Sequence, residues 1–180
     1  MLFRSVNAAP NASDATVAST VSAGTTSTGD IHNGTIVTDS DDNDDDLVIT
    51  AAKAGTETTS YSTVINLGDN ANSVTASTTS ANGLSVTGTY GTLVIGADGT
   101  YTYTASSTNN ISYGSTATDT FTFTTRDDEG SAGSAGSHAY DVGTITFTVA
   151  SSISLTVDTD TANEDATVTV NDGDSEEVLE

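Results

Sequence analysis

The chain has no cysteine, no tryptophan, a single proline and only three basic side chains, Arg4, Lys53 and Arg126, among its 180 residues. Without cysteine there is neither a disulfide framework nor a zinc–thiolate site. Three cations against 25 acidic groups leave a formal charge of −22. Nucleic-acid binding depends on Lys and Arg neutralising phosphates, so no nucleic-acid partner is expected. Anionic membranes are disfavoured for the same reason, and no apolar run approaches the ~20 residues of a membrane span. "MLFRS" is too short for a signal peptide, and with the terminal "LE" it reads as residues added for expression. Leu, Ile, Val and Phe together make up less than one fifth of the chain. That scarcity and the high net charge place the composition in the disordered class. A folded state needs stability from some source beyond apolar burial.

Patterning argues for a fold all the same. "TYTYT" (100–104), "FTFTT" (121–125) and "TITFTV" (144–149) alternate an apolar residue with threonine, the signature of half-buried strands. Tyr101, Tyr103, Phe121, Phe123, Ile145, Phe147 and Val149 are expected to point inward and the threonines outward. "LSVTGTYGTLVIGADGTYTYT" (84–104) reads as strands broken by glycine-bearing turns, with "GADG" (96–99) closing a hairpin. Further strands are expected within 15–20, 34–38, 47–51, 61–67 and 72–77. No segment has helical periodicity. The expected class is all-β, an antiparallel sandwich of seven or more short strands.

"GSAGSAGS" (130–137) reads as a flexible loop between two strands, and "NAAPNAS" (7–13) as a linker. "DATV" occurs at Asp14–Val17 and again at Asp165–Val168, 151 positions later. The organisation expected from this echo is a linker over 1–13, one full repeat over 14–150, and a junction with the opening of a second repeat over 151–180.

"TDSDDNDDDL" (38–47) packs six aspartates and an asparagine into eight positions. Two carboxylates ~4 Å apart repel by roughly 4 kcal/mol at an effective dielectric of about 20. Cations among them would relieve that strain. Asp39, Asp41, Asn43 and Asp45 alternate, so in an extended loop their oxygens can converge on one side, leaving Asp42, Asp44 and Asp46 for a second ion or for solvent. An all-oxygen donor set selects a hard cation, and Ca2+ tolerates irregular geometry better than Mg2+. An EF-hand is excluded, because Asp44 stands at the glycine position and Thr50 at the closing position. The alternative is a solvated acidic loop that keeps the protein soluble. A second acidic group, Asp127, Asp128 and Glu129, follows the "FTFTT" strand. It joins the first if the two share one end of the sandwich, or else pairs with Arg126. A third group in "VDTDTANED" (157–165) holds Asp158, Asp160, Glu164 and Asp165 at the presumed junction, and "NDGDSEE" (171–177) is a candidate for the start of another.

"VTGTYGTLVIGADGTYTYT" (86–104) resembles the signature hairpin of VCBS-type repeats, "DTFTFTTRDDEG" (119–130) their next strand with its acidic end, and "TDSDDNDDDL" their aspartate-rich loop. The resemblance covers most of residues 7–150. Asp42 and Asp44 depart from the usual proline and glycine, and residues 52–82 are longer than in short repeats. Such repeats are cadherin-like (Ig-like) modules, arranged in tandem in giant RTX-type bacterial adhesins exported by type I secretion. The resemblance implies a secreted, extracellular, monomeric module on the bacterial cell surface. It also implies Ca2+ held by Asp39, Asp41, Asn43 and Asp45 and by Asp127 and Glu129.

The function expected is therefore structural. A calcium-binding extender would hold a distal binding domain away from the cell, in support of cell adhesion or biofilm formation. Its partners would be the neighbouring repeats, with any cell-surface or glycan ligand taken by other domains. A calcium-dependent carbohydrate module is the alternative, with Tyr61, Tyr90, Tyr113 and Tyr140 as the tyrosines left for a sugar platform. Ice binding through threonine rows is a lesser variant, since threonine is a common strand-surface residue. An enzyme is not expected. His32 and His138 lie in apparent loops, and there is no G-x-S-x-G motif or histidine pair at metal spacing.

Overall fold

The computed structural model describes residues 11–32, 37–38, 47–56, 72–127, 140–152, 168–171 and 176–179. Among them there is no helix. The strands are β1 (Asn11–Ala12), β2 (Ala15–Thr16), β3 (Thr26–Asp30), β4 (Val37–Thr38), β5 (Leu47–Ala54), β6 (Asn72–Ser73), β7 (Leu84–Thr87), β8 (Gly91–Ile95), β9 (Thr100–Ala105), β10 (Thr116–Asp127), β11 (Tyr140–Ala150), β12 (Val168–Asn171) and β13 (Glu176–Leu179). An all-β class is therefore observed. The expected strand over 61–67 lies outside the described residues.

Two sheets carry the fold. One has the order β2-β11-β10-β5-β6 and the other β3-β9-β8-β7, while β1-β4 and β12-β13 are separate two-stranded pairs. All pairings are antiparallel except β2 with β11, where Ala15 and Thr16 run parallel to Ile145 and Thr146. The same parallel course continues at Val21, bridged to Val149. Two residues of the expected linker, Asn11 and Ala12, are tied to Thr38 and Val37. At the expected hairpin turn, the Gly96 amide donates to the Thr100 carbonyl at 2.9 Å. Gly99 there has φ +83°, a conformation few side chains tolerate.

The inner faces of the two sheets meet in one core. Tyr103 from β9 stacks on Phe147 from β11, with centroids 4.1 Å apart and planes 8° from parallel. Phe121 approaches both rings edge-on, and Tyr101 does the same to Phe147. All seven residues expected to face inward are buried. Ile31, Ile49, Leu93 and Ile95 complete the centre.

The expectation that every threonine points outward is overturned in β10. Thr125 keeps the phase of Phe121 and Phe123 and is fully buried. Thr122 and Thr124 take the opposite phase yet are buried as well. β10 is a central strand, so its outer face is flanked by side chains from β11 and β5 on either side. The Thr122 hydroxyl donates to the Gly55 carbonyl at 2.7 Å. Thr120 and Thr146 hydroxyls meet across the strands at 3.0 Å. A register shift between Thr124 and Thr125 leaves Thr50 as an extra residue in β5, which keeps Ile49 and Ala52 both facing the core.

Candidate functional site

The expected cation ligands Asp39, Asp41, Asp42, Asn43, Asp45, Asp128, Glu129, Asp158 and Asp160 lie outside the described residues. Of Asp127 only the strand position is described. The strands do show where two of the acidic segments begin. Leu47, the residue after the first segment, is paired with Asp127, the first residue of the second. Directly opposed strand residues have Cα atoms ~4.5–5.5 Å apart. Asp46 and Asp128 are each one peptide bond from that pair, so the described strands that flank the two acidic segments end together at one end of the sheet.

The same end of the fold carries four further carboxylates, each already engaged by protein donors. Asp141 accepts the Ala12 amide at 2.7 Å and the Val142 amide at 2.8 Å. Asp14 accepts both the amide and the hydroxyl of Thr144, at 3.1 and 2.8 Å. The Asp30 carboxylate caps the His32 amide at 2.8 Å. Asp98 accepts the amide and hydroxyl of Thr100. Among the described residues, no three His, Cys, Asp or Glu side chains come together to hold a metal.

His32 sits among these groups. Its Nε2 lies 3.4 Å from the Thr125 hydroxyl, and its ring presses on Gly99, where a Cβ would fall 2.6 Å from Nδ1. Burial lowers its pKa below the ordinary 6.5, against the raising influence of Asp30 and Asp98. The folded state thus binds this proton less readily than the unfolded chain. Stability owed to neutral His32 is whole above pH 6.5 and is lost as the pH falls below it. A series of melting curves from neutrality down to pH ~5, above most carboxylate titration, should show this decline. His32→Gln should flatten it, and an unchanged slope would place the effect elsewhere.

The opposite end is closed by two locks that sequence reading missed. The first is Asp119, 3% exposed. Its carboxylate accepts the Thr89 amide at 2.8 Å, the Tyr90 amide at 2.9 Å and the Tyr103 hydroxyl at 3.0 Å. Gly88 is required beside it, because a Cβ there would fall 2.4 Å from Oδ2. Burial first, then the Asp119 charge and hydrogen bond, push the Tyr103 pKa up from 10. A signal for Asp119 was present: in "TDTFTF" it keeps the period-two phase of Phe121 and Phe123. The second lock joins Asn109 to the end of β11. Asn109 Nδ2 donates to the Ala150 carbonyl at 3.0 Å, and Asn109 Oδ1 accepts the Ser152 amide at 3.1 Å. The Asn109 amide donates to Ser152 Oγ, which in turn donates to the Asn109 carbonyl. No sequence pattern announces that clasp.

Compared with known proteins, the chain matches no family model, and no curated protein aligns with it.

Proposed function

We propose that the chain is a calcium-stabilised extender repeat of a bacterial cell-surface adhesin, built as an Ig-like β-sandwich of the cadherin-like, VCBS-type kind. The observation that carries this reading is the path of the chain through the fold. β2 runs parallel to β11, so the polypeptide comes in beside Asp141 and leaves beyond Ala150 at the other end. β11 alone, with 11 residues, spans about 35 Å. Units joined in this way add their lengths instead of folding back. The Asn109–Ser152 clasp fixes the direction in which the chain departs.

The repeat echo supports the same layout. Asp14, which opens the first "DATV", binds Thr144 and seats β2 on β11. Asp165 would open the next unit in the same way. β1 pairs with β4 immediately before Asp39, so whatever precedes β1 is led towards the acidic segment. In a following copy, the residues preceding β1 would be those around Asp158 and Asp160. Ca2+ there would be shared between a linker and the next unit's aspartates, cancelling repulsion and stiffening the joint.

Ca2+ that binds only the folded state adds RT ln(1 + [L]/Kd), about 2.7 kcal/mol at a hundred times Kd. For a chain of this size, removing it should lower Tm by about 5–10 °C. Calorimetry of the full chain in millimolar calcium, with and without chelator, checks this, and small-angle scattering should show a looser particle after chelation. Asp41→Ala combined with Asn43→Ala should reproduce the chelator's effect. Coincident melting curves would reject the calcium role.

A further inference from the structure

We infer that the concavity between the β7–β8 turn and the β9–β10 loop, lined by Thr89, Tyr90, Thr108, Asn109 and Asn110, is a binding site for a neutral saccharide. It has a volume of about 310 Å³, at the small end of the ~300–1,000 Å³ typical of ligand pockets. That size suits one sugar ring better than an extended chain. Its walls are held in place from behind. Asp119 pins the backbone of Thr89 and Tyr90, and the Ser106 amide donates to the Tyr90 carbonyl at 2.8 Å. The opposite wall is fixed by the Asn109–Ser152 clasp and by the Ile111 amide, which donates to Asn109 Oδ1. A ligand would meet a surface already in its bound shape, which keeps the entropic cost of binding low.

The chemistry of the lining selects the ligand class. Thr89, Thr108, Asn110 and Tyr90 bring hydroxyl and amide groups to the lining, and the hydrogen bonds described for Thr89 and Tyr90 are made by their backbone. Thr89, Thr108 and Asn110 are exposed, while the Tyr90 ring is partly buried against the core. None of the five is an acidic or basic residue. Uncharged donors and acceptors beside one aromatic ring match a polyhydroxylated neutral molecule, and the chain's charge of −22 disfavours acidic sugars. None of the five lining residues is a carboxylate, so the site needs no calcium ion of its own. It goes beyond the spacer reading and stands or falls separately from it.

The test is a titration of the 15N-labelled full chain, followed by amide NMR, with glucose, galactose, mannose, fucose and N-acetylglucosamine, in calcium and in chelator. At least one sugar should give saturable, millimolar-range shifts confined to residues 89–90 and 108–111, under both conditions. Asn110→Ala and Thr108→Ala alter exposed side chains and leave the fold intact. Each should weaken that binding, Asn110→Ala by up to about tenfold. No saturable shift with any of the five overturns the assignment. So do shifts that centre elsewhere, or that persist undiminished in Asn110→Ala. Binding lost on chelation while the folded amide spectrum remains would also overturn it. The spacer reading is judged by the melting curves alone.

Discussion

Replacing Phe147 with alanine should destabilise the protein by about 3–5 kcal/mol, the range for a large aromatic removed from a packed core. Phe147 is fully buried at the centre of β11. It touches three other core rings, stacked on Tyr103 and edge-on to Tyr101 and Phe121. Aromatic pairs of this kind contribute ≈ 0.5–1.5 kcal/mol each beyond their buried area. Removing the ring therefore costs more than the transfer of its own carbons. The scarcity of apolar residues in the sequence sharpens the effect, since little other apolar volume is at hand to offset the loss. For a chain of this length Tm should fall by about 10–15 °C, as read by calorimetry at fixed calcium. Phe147→Leu, which keeps much of the volume, should cost markedly less. A melting point within a degree or two of the parent's would mean that the two sheets are not held together through this cluster.

The strands most legible in the sequence are those where a large apolar residue alternates with threonine. β9, β10 and β11 contain the three stretches where the period-two pattern puts strands, and all seven inward residues are buried. β3 was invisible because "TSTGD" contains no apolar side chain. It exists by pairing with β9 at the edge of its sheet, a tertiary fact with no local trace. The threonines of β10 misled for a related reason. Alternation assigns a residue to a face but does not say what lies beside that face, and a central strand can bury even its outer row. For the candidate site the limits are different. Charge density, the alternation of Asp39, Asp41, Asn43 and Asp45, and the family resemblance single out the two acidic segments, but none of these says whether the segments meet. What the structure adds is the pairing of Leu47 with Asp127, which gives them a common point of attachment. In the sequence Asp14 stands out only as part of an echo, whereas in the fold it has a mechanical task in seating β2 on β11.

Asp119→Ala should be comparably damaging, about 3–5 kcal/mol, for a reason unrelated to apolar packing. The carboxylate, itself buried, is the acceptor for two partly buried backbone amides and one buried phenol. Hydrogen bonds to a charged group contribute ≈ 1.5–3 kcal/mol each, and a buried donor left without a partner costs ≈ 1–3 kcal/mol. Asp119→Asn does not rescue the site. Three donors converge on the two oxygens, and an amide would turn an N–H towards one of them. The mechanism predicts a signature that a generic packing defect lacks. Tyr103→Phe should be costly in the parent, where it breaks a charge-assisted bond. In the Asp119→Ala background it should be milder by about 1 kcal/mol or more, because the phenol there has already lost its acceptor. Additivity in that double-mutant cycle would refute the account. Hydrogen exchange should accelerate first at Thr89 and Tyr90, whose amides lose their acceptor. Since those two residues form one wall of the proposed saccharide pocket, the variant should also lose sugar-induced shifts under conditions where it remains folded. One buried carboxylate would then be seen to serve both the core, through Tyr103, and the binding surface, through the turn it holds in place.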